Sequence, residues 1–344
     1  MTLFGRCATK LATLFILSGI FIISDQARAQ SATDFYKGKT INFIVGYAAG
    51  GGYDIYARLL ARYMTKYIPG KPNIIINNLP GAATLKAIEY LDTKAPTDGT
   101  AIALFDFFQI GNSVLSQKKD RIDFRTFKWI GSISEDISVC YVWHTLNVKD
   151  IKDARNGHAF VFGLTAPGTM NEVRQKLLTK MLGIKIRTIS GYPGSSAEKL
   201  AIERGELEGG CSGWSSVPTD WLKDKKVSIL VRYVPDRPAD MSPDVPYAAD
   251  LLTDPRAKTI LEFLTEPAQL GKPIIANKAA PADRVKLLQT AFDQAVKDPG
   301  LLAEAKKLRI DISPKSAAEA HKILDDLYQQ PPDILEEARH VLHD

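Results

Sequence analysis

The chain has 344 residues, 45% of them apolar, and a formal net charge of +5 at pH 7. Its Lys and Arg are interspersed with Asp and Glu, which gives nucleic-acid binding no support, and the apolar content suffices for a substantial core. Losing an N-terminal segment that carries Arg6, Lys10 and Arg28 against Asp25 would leave +3, a mild basicity that suits a receptor for small acids.

That segment comes first in the chain. Arg6 and Lys10 form a positive region, 11–23 is an apolar run of 13 residues, and Ala27-Arg28-Ala29 is a small-x-small triplet. This is the pattern of a secretory signal, and the run is short of the ~20 residues a membrane span needs. An uncleaved anchor is the other reading. Cleavage after Ala29 is expected, with export of a soluble mature chain, because no later stretch approaches a transmembrane helix in length and uniformity.

The mature sequence alternates between two periodicities. TINFIVG (40–46) reads as a buried strand. Three glycines follow, and then a helix with Ile55, Leu59, Leu60, Met64 and Tyr67 on one face and Arg58, Arg62 and Lys66 on another, solvated face. The unit recurs: strand NIIINN, bend LPGAAT and a short helix at 85–91, then a strand at 100–105 and another at 138–144. AFVFG leads through LTAPGT to a helix from Met170, and IKIRTI through SGYPGSS to a helix from Ala197. SILVRYV (228–234) is the last clear strand before a proline-rich segment, and from Ala282 onward the pattern is nearly all helical. Such alternation predicts an α/β fold with mainly parallel sheets. Thr169 with Glu172, Ser195 with Glu198 and Ser316 with Glu319 fit capping boxes, and Pro281 suits a helix start.

Cys140 and Cys211, each within a probable strand, could pair in an oxidising compartment or stay as buried thiols; their spacing does not decide. There is no CxxC or His-Cys cluster, so neither a metal site nor a cofactor is expected.

The glycines pose the functional question. Gly46 and Gly51 have P-loop spacing, but Gly52 and Tyr53 stand where Lys and a magnesium-binding hydroxyl belong; from Gly50 and Gly52 the dinucleotide fingerprint fails at Ile55. Nucleotides are therefore set aside. A helix N-terminus still attracts anions through unpaired amides and the positive dipole end. Four bends of this design, 48–54, 80–84, 165–169 and 192–196, precede helices. In parallel sheets such bends lie at the C-terminal strand edges, where ligands bind. Micromolar affinity needs about 8 kcal/mol net after roughly 4–15 kcal/mol of association cost, whereas one dipole end contributes ~0.3–1 kcal/mol. One bend is not enough; bends of two lobes closing on a carboxylate would be, which predicts a hinged clam. An enzyme is the competing class, but none of the five histidines (His144, His158, His321, His340, His343) lies in a glycine bend and there is no Gly-x-Ser-x-Gly elbow. Asp54 and Asp106 as an acid–base pair are less plain than Asp54 as a helix cap.

The ordered motifs Gly51-Gly52-Tyr53-Asp54 with Arg58, Asn78-Leu79-Pro80-Gly81-Ala82, Pro96-Thr97-Asp98-Gly99, Ala166-Pro167-Gly168-Thr169, Tyr192-Pro193-Gly194-Ser195 and Arg237 through Pro243-Asp244-Val245-Pro246 resemble the Bug solute receptors of tripartite tricarboxylate transporters (TctC-like). The resemblance implies a two-lobed, type II-like periplasmic binding fold of Venus-flytrap form, with a ligand cleft between lobes joined by crossover strands. It implies a monomeric periplasmic receptor, without enzyme activity, that takes a small organic acid on backbone amides and ordered water and delivers it to membrane permease subunits. The expected division is 1–29 signal peptide, 30–135 lobe 1, 136–234 lobe 2, and 235–344 return to lobe 1 with the C-terminal helices. Expected ligand-binding residues are Tyr47, Gly51, Gly52, Asp54, Ala82, Thr84, Thr165, Gly168, Thr169, Tyr192 and Ser195. Asp54 would position its bend, the two tyrosines would line the walls, and the amides of Gly51, Gly52, Gly168 and Thr169 would meet the carboxylate. Two departures stand out: ATLKAI lacks a second glycine after the Pro-Gly-Ala bend, and Trp214 and Trp221 replace smaller residues, either widening the ligand range to bulkier acids or packing in the core. A sensory receptor for the same ligands and a secreted α/β enzyme are the alternatives.

Overall fold

The computed structural model describes residues 34–343, so the signal segment and its cleavage point lie outside the described residues. Two sheets organise the chain. The first runs β11-β4-β10-β3-β1-β2, built from β1 (Thr40–Val45), β2 (Asn73–Asn78), β3 (Ala101–Leu104), β4 (Lys128–Ser132), β10 (Pro273–Ala276) and β11 (Lys315–Ser316). The second runs β7-β6-β8-β5-β9, from β5 (Ser138–Trp143), β6 (Phe160–Leu164), β7 (Ile186–Ser190), β8 (Gly209–Gly213) and β9 (Val227–Arg232). Burial follows position in the sheet. Central β3 is buried throughout, whereas edge strand β2 shows alternate burial and edge strand β7 is largely exposed.

The sheets are mixed, which corrects the expectation of mainly parallel ones. β1 pairs in parallel with β2 and β3, and β6 with β7 and β8; β4, β5, β9, β10 and β11 enter antiparallel pairings. Antiparallel neighbours need no helical crossover. The chain passes from β4 of one sheet into β5 of the other through the short segment 133–137, and returns from β9 to β10 by way of the helix Pro255–Thr265.

Helices cover both sheets. α1 (Gly52–Met64) buries Leu59, Leu60 and Met64, but Ile55, expected on the same face, is exposed. Its cations and that of the following turn are solvated and also paired, Arg58 with Asp54, Arg62 with Glu304 and, in the turn Thr65–Tyr67, Lys66 with Asp298. α2 (Leu85–Thr93) and α3 (Phe108–Leu115) follow in the first sheet's half, and α4 (Met170–Lys176), α5 (Ser195–Glu203) and α6 (Thr219–Lys223) in the second's. After α7 (Pro255–Thr265) come α8 (Ala282–Ala295), α9 (Pro299–Leu308), α10 (Ala317–Tyr328) and α11 (Pro332–His343). α8 and α10 pack on β4, and α11 packs on α3 and α7 and reaches α4. Pro281 caps α8 as expected. Of the three capping boxes, Ser316 with Glu319 forms. Thr169 and Ser195 make no such cap, because the Glu172 carboxylate accepts from the Gly168 amide and α5 is capped by Gly194. Cys140 and Cys211 stand opposite in β5 and β8, with Cα atoms 4.1 Å apart, and are joined in a disulfide. Trp221 is fully buried and Trp214 nearly so, their indole NH groups donating to Glu203 and Asp240, and both belong to the hydrophobic core.

Candidate ligand site where four bends meet

The four bends follow the parallel strands β1, β2, β6 and β7, and they meet in pairs. Ser196 Oγ donates to the Gly50 carbonyl at 3.0 Å, joining the first bend to the fourth. The second and third bends are joined through α3: Gln109 Nε2 donates to Ala83 O at 2.7 Å and Gly168 O at 3.0 Å, and Asn112 Nδ2 to Gly168 O at 2.6 Å. The approach is close enough that a Cβ on Gly52 would lie 2.7 Å from Ser216 Oγ. The two halves are thus in direct contact around the bends.

Inside lies a cavity of about 80 Å³, lined by residues of both sheets' halves, among them Tyr47, Gly51, Gly52, Thr165 and Ser195 of the expected set. A second hollow of about 270 Å³ shares Tyr47 and Thr165 with it and takes in Ala82, Thr84 and Tyr192. Asp54, Gly168 and Thr169 line neither. Asp54 instead braces the first bend, accepting from the Gly50 amide at 2.9 Å, Arg58 Nε at 2.8 Å and Asn78 Nδ2 at 3.0 Å. Burial pushes its carboxyl up, but these donors outweigh burial and hold it below its ordinary value. The Gly168 amide is engaged by Glu172, and Thr169 Oγ1 donates to Ala166 O, so this bend meets its partners through other atoms.

The second bend explains one departure in the sequence. Ala82, Ala83 and Thr84 all have positive φ, 46°, 50° and 75°, a conformation that suits glycine and that other residues hold only when their surroundings impose it. Thr84 is fixed by accepting from the Asp106 amide at 3.0 Å and by packing over Gly46, where a Cβ would lie 2.5 Å from Thr84 Cβ.

The walls of the cavity carry more charge than the sequence suggested. Asp106, at the end of β3, accepts from the Tyr47 hydroxyl, from the Phe108 amide at 2.8 Å and, across the cleft, from the Met170 amide at 3.4 Å. Burial still pushes its carboxyl above the ordinary range. Asp136 sits in the segment that carries the chain from β4 to β5. It takes Arg174 from α4 and Lys272 from the start of β10, the latter at 3.2 Å, with Ser138 Oγ donating at 2.7 Å. Burial opposes its ionisation, but Arg174 and Lys272 outweigh it and lower its pKa. Lys272 Nζ also lies 4.7 Å from the centre of the Tyr53 ring. Glu198, on the first turn of α5, is pushed up to about 7 by burial.

Arg174 and Glu198 were missed, yet each carried a signal. Met170, Val173, Arg174 and Leu177 fall on one buried stripe, as do Glu198, Ala201 and Ile202; a charge inside an apolar stripe marks a buried site. Asp136 and Lys272 carried none, since what brings them together is tertiary. Among the described residues no cluster of His, Cys, Asp and Glu could hold a metal ion, and no helix is long and apolar enough to cross a membrane.

Comparison with known proteins places this geometry. No family model matches the chain. A protein of Agrobacterium vitis described as "UPF0065 protein in the TAR-I ttuE-ttuC' intergenic region" is 25% identical over 279 residues, covering 78% of this chain and 74% of that one. A second, "UPF0065 protein in gbd 5'region" of Cupriavidus necator, is 36% identical over 75 residues, 22% of each chain. Among solved structures, the periplasmic binding protein BugD matches with TM-score 0.72 and 18% identity over 89% of this chain and 98% of its own. MatC from Rhodopseudomonas palustris with bound malate matches with TM-score 0.69 and 18% identity over 86% and 99%, and an R. palustris protein with adipate with TM-score 0.70 and 16% identity over 88% and 97%. The chain thus has the two-lobed fold of periplasmic binding proteins, and its structural neighbours are of the Bug and TctC kind that the sequence motifs resemble.

Proposed function

We propose that this protein is an extracytoplasmic solute receptor that closes on a small carboxylate and delivers it to the membrane subunits of a tripartite tricarboxylate-type transporter. One observation carries the reading. The cavity enclosed between bends of both sheets holds Arg174, buried, with its Nε–H unpaired. A buried donor of this kind is costly without an acceptor, and a carboxylate supplies one. The opening amides of α1 and α5, those of Gly52 and Ser195, precede any helical carbonyl that could accept from them and add to the field. Malate and adipate in the structural neighbours support the ligand class.

Tyr47, Gly51, Gly52, Thr165 and Ser195 are the expected residues that contact this ligand, with Ala82, Thr84 and Tyr192 at the adjoining hollow; Asp54, Gly168 and Thr169 hold the bends in place. The division into lobes at 135 and 234 is supported by strand membership of the two sheets. The receptor is periplasmic and makes and breaks no bond in its ligand, a reading supported by a neighbour that is a periplasmic binding protein; it works as a monomer. A thermal-shift screen of the mature chain against mono-, di- and tricarboxylates, sugars and amines tests it. Ligand at a hundredfold excess over Kd adds about 2.7 kcal/mol; a response to sugars and to no acid would sink the proposal. Co-purification with permease subunits tests the transport half.

A further inference from the structure

We propose that the cavity selects a small amino-bearing carboxylate, with the carboxylate on Arg174 and the ammonium on Glu198. The inference rests on the carboxylate reading above and narrows it. Three polar atoms of residues lining the cavity are buried without a hydrogen-bond partner: Arg174 Nε, Asn171 Oδ1 and Glu198 Oε1. Buried polar groups are nearly always paired, so these three describe the missing complement. Arg174 Nε calls for an acceptor. Asn171 Nδ2 donates to Glu198 Oε2 at 3.3 Å, which leaves Asn171 Oδ1 and Glu198 Oε1 both calling for a donor. A ligand made only of carboxylates answers the first demand and leaves the other two unmet.

Charge makes the same selection. Asp106, Asp136 and Glu198 line the cavity against Arg174 and Lys272. Asp136 takes both cations, and Asp106 has the Tyr47 hydroxyl and two amides, whereas Glu198 has the Asn171 amide. A plain dicarboxylate would add two negative charges to walls already short of positive ones; a zwitterion adds none.

Glu198 is faced by Lys199 and Arg174, by the Asn171 amide, and by the hydroxyls of Tyr47, Tyr141 and Tyr192. Burial raises its pKa to about 7, so the anchor for an ammonium is lost as pH falls through that value while the ligand stays charged.

Titration calorimetry of the mature protein at pH 8 and pH 6 tests this with two matched sets: propionate, lactate and alanine; succinate, malate and aspartate. In at least one set the amino acid should bind at pH 8 about tenfold or more tighter than the unsubstituted acid, a difference of about 1.4 kcal/mol. That preference should shrink at pH 6 in the unmodified protein. Glu198→Gln should reduce it to about twofold or less, with the unsubstituted acid bound at least as well as before. The inference is overturned if the unsubstituted or hydroxy acid equals the amino acid at pH 8. It is equally overturned if the preference survives both the pH change and the substitution. Failure of all six to bind also overturns the inference, whereas the carboxylate reading beneath it falls only if the thermal-shift screen responds to sugars and to no acid.

Discussion

Replacing Arg174 by Met tests the ionic cluster on which the closed site is built. The guanidinium donates through one nitrogen to Asp136 Oδ1 and to Ser138 Oγ, the latter at 2.6 Å, and both acids and bases of the cluster are buried. Two charge-assisted hydrogen bonds at ~1.5–3 kcal/mol each would be lost. Against this, the side chain no longer has to be stripped of water, and Asp136 keeps Lys272 and Ser138. The net cost should therefore fall near the low end of the ~3–5 kcal/mol typical of breaking a buried pair by removing one partner. At ~2 °C per kcal/mol for a chain of this size, the melting midpoint should drop by about 6 °C.

The pH dependence carries a second signature. A carboxyl held below its ordinary value, as that of Asp136 is, adds stability that is present above the unfolded-state pKa of 3.8 and is lost as pH falls through the lower folded value. Without Arg174 the folded pKa rises, so acid unfolding should begin at higher pH. Scanning fluorimetry from pH 3 to 8, checked by circular dichroism, measures both. Because the two residues share one network, adding Asp136→Asn should cost less than the sum of the single changes. A melting midpoint within about 1 °C of the parent, together with an unmoved acid transition, would refute the argument, since a pair worth nothing cannot be organising the hinge.

Gly46→Ala drives a Cβ against Thr84 and strains the Asp106 amide bond that Thr84 accepts; a loss of ~1–3 kcal/mol in urea unfolding is expected. Replacing both Cys140 and Cys211 by Ser opens a loop whose ends are 71 residues apart and should cost ~2–5 kcal/mol, read as a lower urea midpoint and matched by adding reductant to the parent. Ser316→Ala removes a formed capping box and should cost ~1 kcal/mol. Ser195→Ala removes no cap, so its thermal stability should stay within ~0.5 kcal/mol while acid affinity falls.

Four bends after apolar strands were legible in the sequence because glycine and proline act locally and strand and helix periodicities need only a dozen residues of context. The alternation of strand and helix followed from the same signals, whereas the two-lobed reading came from chain length and the family resemblance, and the helices Phe108–Leu115, Thr219–Lys223 and Pro255–Thr265 were not read. Three strands escaped them: KWIGS at β4 mixes polar and small residues, PIIA at β10 opens on proline, and β11 spans two residues. What makes them strands is a partner elsewhere in the chain, and local pattern does not report partners. The same limit applied to the site. Tyr47, Gly51 and Ser195 could be chosen from their bends, but the meeting of Asp136 with Lys272, far apart in sequence, exists only after both sheets have formed around the crossing segment. Glycine spacing determined where the chain would bend; burial, a property of the assembled fold, decided which charges ended up lining the cavity.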